Sequence, residues 1–96
     1  MHTWKLEILH FNDVYDIEAK MTGGSIATVK EAGGAARFKT AFDCYDSAEK
    51  LVVFSGDLVS PSLMSCYYEG NQMIMPFNGY NVDVSCLGNH ELDFGP

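Results

Sequence analysis

Leu51-Val52-Val53-Phe54, followed at once by Ser55-Gly56-Asp57, decides the fold. Four consecutive β-prone apolar residues leave no polar face. That pattern suits a parallel strand covered on both sides, and the Gly-Asp pair ends it. Upstream, Leu6-Glu7-Ile8-Leu9-His10-Phe11 is a second strand-like run, closed by Asn12-Asp13. Downstream, Val82 to Leu87 is a third, closed by Gly88-Asn89.

Helical signals lie between these runs. From Ala35 to Ala48, Phe38, Ala41, Phe42 and Tyr45 fall at i, i+3, i+4 and i+7, an apolar stripe with Arg37, Lys39, Asp43 and Asp46 off it. Ser60-Pro61 reads as an N-cap and first helical residue, opening a helix through Tyr68 that ends near Gly70. Asn71 to Asn78 offers a further short helix, with Pro76 near its end. Met73, Met75 and Phe77 read as its packing residues. Asp16 to Gly34, punctuated by Gly23-Gly24 and Gly33-Gly34, reads as an irregular loop. The alternation of strand and helix predicts an α/β fold, a parallel-sheet βαβαβ unit with right-handed crossovers.

Such sheets collect ligands beyond the carboxyl ends of their strands. The residues there are Asp13, Asp57 and Asn89, with His90 beside them. One Asp after a strand more often caps a turn than binds anything. Donors at all three strand ends make that explanation weak. Two carboxylates ~4 Å apart repel by ~4 kcal/mol at an effective dielectric of 20. A hard divalent cation removes the conflict and suits carboxylate, amide and imidazole donors. His10 alternates with Leu9 and Phe11 and reads as structural, and Glu91 as a loop-fixing acid. Arg37 reads as a solvated helix residue, and His2 as a terminal one.

Leu9-His10-Phe11-Asn12-Asp13-Val14-Tyr15 resembles the first motif of the calcineurin-like metallophosphoesterases, Asp-x-His. Gly56-Asp57 with Ser60-Pro61-Ser62 is similar to the second, in the form used by the 5′-nucleotidase branch. Gly88-Asn89-His90-Glu91-Leu92-Asp93-Phe94-Gly95 resembles the third, and Gly33-Gly34-Ala35-Ala36-Arg37 the start of that branch's first helix. The resemblance implies that residues 1–96 form the N-terminal part of a metallophosphoesterase α/β sandwich, truncated before its later histidine ligands and its nucleotide-reading domain. It implies two divalent metal ions, drawn from Mn, Zn, Mg, Fe or Co. Asp13 would bind one, Asp57 both, and Asn89 the second. His90 would face the phosphate as a catalytic residue, its ring held by Asp93. The implied activity is hydrolysis of a small phosphate ester, a nucleotide, with the fragment alone inactive.

One position departs from the pattern. Tyr15 stands where the family places a histidine ligand, and a phenol of pKa ~10 is a poor ligand unless a positive field ionises it. Asp16 is the neighbouring candidate. Tyr15 therefore sustains the alternative of a non-catalytic metal-binding module or lapsed phosphoesterase.

Bulk properties limit the partners. The net charge of −7 argues against unaided binding to nucleic acid or anionic membrane. No apolar run approaches the ~18 residues a membrane span needs. Cys44, Cys66 and Cys86 are widely spaced and read as reduced, mostly buried thiols. With no leader visible before Leu6, a cytoplasmic location is expected.

Overall fold

The computed structural model describes residues 1–46 and 48–96. Its centre is a three-stranded parallel sheet in the order β1-β4-β5, built from β1 (Glu7–Phe11), β4 (Lys50–Phe54) and β5 (Val84–Ser85). Glu7 to Phe11 pair in register with Lys50 to Phe54, and Val53 and Phe54 with Val84 and Ser85. β5 is shorter than the apolar run from Val82 predicts. Asp83 is the reason: its Oδ2 accepts the Val52 N–H at 2.8 Å, taking a place in the ladder that a backbone carbonyl would fill.

Paired residues in a parallel sheet point to the same side. Leu9, Phe11, Val52 and Phe54 share one face, and helices cover it. α1 (Ala35–Asp43) lays Ala35, Phe38 and Phe42 there. The rings of Phe38 and Phe42 lie 5.0 and 5.4 Å from that of Phe11. Phe77 of α3 (Ile74–Gly79) packs 5.0 Å from Phe54, and Tyr80, just beyond, completes the cluster. The opposite face carries Ile8 and Val84, 59% and 55% exposed. β4 is thus fully covered on one side only.

Several expectations need correction. α1 stops at Asp43 rather than Ala48, and Ser47 lies outside the described residues. Its partly buried stripe is Ala35, Phe38 and Phe42, while Ala41 and Tyr45 face solvent. The second helix, α2 (Leu63–Tyr68), starts after Ser60-Pro61. Ser62 is its N-cap, accepting the Ser65 N–H at 3.1 Å, and the Ser60–Pro61 bond is cis. Pro76 is tolerated because it sits in the first turn of α3, where its missing N–H would have no helical partner. Met73 is buried there, whereas Met75 faces solvent. The stretch read as an irregular loop holds an antiparallel ribbon, β2 (Lys20–Thr22) against β3 (Lys30–Ala32). All three cysteines are exposed, on α2 or just beyond α1 and β5, so the burial expected of them does not hold.

Among the described residues no helix is long and apolar enough to cross a membrane.

Candidate functional site

The loops that leave β1, β4 and β5 are stitched into one structure. Beyond the sheet, Ser55 N donates to Phe11 O at 3.0 Å, Asp13 N to Gly56 O at 3.1 Å and Val14 N to Asp57 O at 3.2 Å. These bonds continue the β1–β4 pairing and set Asp13 beside Asp57. Both aspartates adopt left-handed backbone, with φ of 56° and 63°. Asp and Asn visit that region more readily than other non-glycine residues.

The loops after β4 and β5 meet backbone against backbone. A Cβ on Gly56 would lie 2.3 Å from Gly88 N, and one on Gly88 would lie 2.2 Å from Asp57 Oδ1. Glu91 ties the pair together. Its carboxylate accepts the Asp57 N–H at 2.8 Å and also the N–H groups of Leu58 and Gly88. Partial burial pushes the Glu91 carboxyl up. The N–H groups of Leu58, Asp57, Gly88 and Val59 outweigh it and hold the pKa below the usual carboxylate range. Glu91 is the loop-fixing acid expected of it.

Asp57 is 9% exposed, and its Oδ1 accepts the His90 N–H at 2.8 Å. Asn89 lies between Gly88 and His90, both in contact with Asp57, and its side chain faces solvent. Asp13 is exposed, with its carboxylate accepting from Asn12 Nδ2. The His90 Nδ1 lies 2.8 Å from Asp93 Oδ2. That hydrogen bond raises the His90 pKa. Slight desolvation opposes it, and the negative charges of Asp93, Asp57 and Asp13 add to it. His90 therefore stands in the field of both aspartates. The Asp93 carboxyl is held low by His90 and by Ser60, whose Oγ donates to the same oxygen at 2.8 Å.

Do these residues suit a divalent cation? Among the described residues neither Asp13 nor Asp57 pairs with a Lys or Arg. A carboxylate as buried as Asp57 needs compensation, which a divalent cation would supply. The donors are all hard oxygens, which suits such ions. Among the described residues no three His, Cys, Asp or Glu side chains form a metal-holding group, so further donors are needed to close a shell.

Tyr15 is half-buried and lines a cavity of about 450 Å³ with Asp13, Asp16, Lys20 and Gly34. Asp16 is engaged by Lys20 at 2.8 Å, which leaves it less free to stand in for a histidine. Arg37 pairs with Glu31 at 2.8 Å on the surface. His10 lies on the open face of the sheet, its Nε2 2.6 Å from Ser55 Oγ, apart from the donors.

Sequence reasoning missed Ser60. Its Ser-Pro context reads as a helix start, and nothing local shows that its hydroxyl reaches a residue 33 positions away. It also missed the left-handed aspartates, although Asp at a strand end is a weak sign of such a turn.

Comparison with known proteins follows the same lines. The family model described as calcineurin-like phosphoesterase matches residues 6–96. The 5′-nucleotidases of Bos taurus and Homo sapiens are each 32% identical over 97 residues, covering 96% of this chain. An NAD nucleotidase of Haemophilus influenzae superposes with a TM-score of 0.78 at 25% identity, over 93% of this chain. In each case the chain spans only 17% of the relative's length.

Proposed function

Because the chain belongs to the calcineurin-like phosphoesterase family, we propose that residues 1–96 are the N-terminal part of the catalytic domain of a metal-dependent phosphohydrolase acting on nucleotides. The observation that carries this reading is the junction at Asp57. One buried carboxylate accepts the His90 amide, and the same short loop presents His90 with its ring bound to Asp93. The names of the relatives, 5′-nucleotidase and NAD nucleotidase, support a nucleotide as the ester.

In this reading Asp13, Asp57 and the amide oxygen of Asn89 are the residues of this chain that would hold two divalent cations, with Asp57 shared between them. The ions are drawn from Mn, Zn, Mg, Fe or Co. When bound, they supply Lewis acidity to a phosphoryl oxygen and activate water. This chain's own residues handle the proton. The Asp93 carboxylate accepts Nδ1–H, which leaves His90 Nε2 for the substrate. With Nδ1–H engaged by Asp93, Nε2 is the atom that can exchange a proton with the leaving ester oxygen or meet charge gathering on phosphorus. The net charge of −7 disfavours a polymeric nucleic acid as substrate. The open sheet face, with Ile8 and Val84 exposed, supports a place within a larger domain.

The test is phosphate release from AMP and from p-nitrophenyl phosphate by the full-length polypeptide carrying this sequence, with Mn²⁺ and after chelation. His90→Asn should lower kcat by about 100-fold or more. An unchanged rate would remove the role given to His90. A second reading, a metal-binding module without turnover, is favoured by Tyr15 alone. Metal binding with no hydrolysis of either ester would select it.

A further inference from the structure

Ser60 is 4% exposed, so its hydroxyl needs a partner inside the protein. That partner is Asp93 Oδ2 at 2.8 Å, the same oxygen that lies 2.8 Å from His90 Nδ1. An ionised carboxylate can only accept. Ser60 Oγ–H and His90 Nδ1–H must therefore both donate, and together they occupy this one oxygen. From these contacts we propose that Ser60 is a positioning residue for His90, acting through Asp93. It fixes the rotation of the carboxylate and, by that route, the tautomer and plane of the imidazole.

The torsion that sets a carboxylate is broad and has no steep staggered wells of its own. Held by His90 alone, Asp93 could rotate with the ring. Ser60 supplies a second point of attachment from a different loop. Its neighbour Val59 is itself anchored, its carbonyl accepting Ser65 Oγ–H at 2.6 Å where α2 begins. The relay thus runs from the start of α2 through Ser60 and Asp93 to His90, joining the loop after β4 to the loop after β5. This explains why the Ser60 hydroxyl is not spent on capping a helix.

The inference rests on the phosphohydrolase reading for its effect on rate, but not for its geometry. The experiment therefore uses two readouts on the full-length polypeptide. The first is long-range proton–nitrogen NMR of the His90 ring. The second is steady-state hydrolysis of p-nitrophenyl phosphate, with metal content measured in parallel. At a pH where the ring is neutral, Ser60→Ala should mix the two ring tautomers and weaken the hydrogen-bonded Nδ1 proton signal. It should lower kcat about tenfold, the scale of one hydrogen bond, with KM and metal content unchanged. Ser60→Cys, close in size and a weak donor, should act in the same direction by less, and it decides the matter if the alanine variant does not fold. A parent tautomer retained in both variants overturns the proposal. So does a fall in kcat that tracks metal content or KM, which would mark Ser60 as merely structural. If the parent hydrolyses no phosphate ester while the tautomer still depends on Ser60, the functional reading fails and the positioning role stands.

Discussion

Replacing Glu91 by glutamine keeps the shape of the side chain and removes its charge. In the structure Oε2 accepts from Asp57 N and Gly88 N, and Oε1 from Leu58 N. A glutamine amide can serve only one side. The better orientation keeps its oxygen on Asp57 and Gly88 and turns its NH₂ against the Leu58 N–H. Two bonds then lose charge assistance and a third is lost outright. A hydrogen bond to a charged group contributes roughly 1.5–3 kcal/mol and a neutral one roughly 0.5–1.5. The change comes to about 4 kcal/mol before correction. Partial exposure and non-additivity reduce it to about 2–3 kcal/mol. With a urea m value of roughly 1 kcal/mol/M for a small domain, the midpoint should fall by about 2–3 M with little change in slope. Circular dichroism follows the unfolding, and hydrogen exchange at the amides of Asp57, Leu58 and Gly88 localises the loss. A change below about 0.5 kcal/mol, the range of inert surface substitutions, with those amides still protected, would show that Glu91 does not hold the loops together.

Gly88→Ala should disturb both the site and the packing of the two loops that build it. Its methyl would meet Asp57 Oδ1 at 2.2 Å and the Asp57 backbone nitrogen at 2.5 Å, so both the carboxylate and the loop must shift. Mn²⁺ affinity should drop about tenfold or more, since one charged hydrogen bond orients that donor; unchanged affinity in a titration would contradict the geometry. Burial raises the Tyr80 pKa above the ordinary phenol value of 10.0. Because the folded value is the higher one, the stability linked to it is complete below that pH and is lost as pH rises through the folded pKa. Ultraviolet titration should show one late phenol that disappears in Tyr80→Phe; simultaneous ionisation of all the tyrosines would refute this.

The strands and the convergence of their ends were legible because both depend on local pattern. Apolar runs closed by Asn12-Asp13, Gly56-Asp57 and Gly88-Asn89 state where the chain turns and which donors it leaves there. The pairing of His90 with Asp93 was legible only through the resemblance of the third motif, although the contact itself spans one short turn. Other features depend on what the chain meets elsewhere. Strands of three residues, such as β2 and β3, are too short to show a period. The end of α1 is set by which residues reach Phe11 and Tyr80, and Tyr45 does not. Ser60 offers identical local chemistry whether it caps a helix or reaches Asp93, and only the tertiary fold separates the two. The thiols were misjudged on a general preference of cysteine for interiors, whereas this chain puts them on outward positions.

The left-handed turn at Asp13 and Asp57 means that charge is only part of what suits aspartate to these positions. Glutamate would retain the negative group and can adopt this region, as Glu69 does at φ 51°. It does so less readily than aspartate and places its carboxylate one methylene further out, so a charge-conserving exchange would displace the donor. Asparagine is the neutral substitute that leaves that path intact. For mutational dissection of cation binding, alanine would confound a lost donor with a refolded corner, whereas asparagine removes the charge, keeps one oxygen and leaves the corner in place.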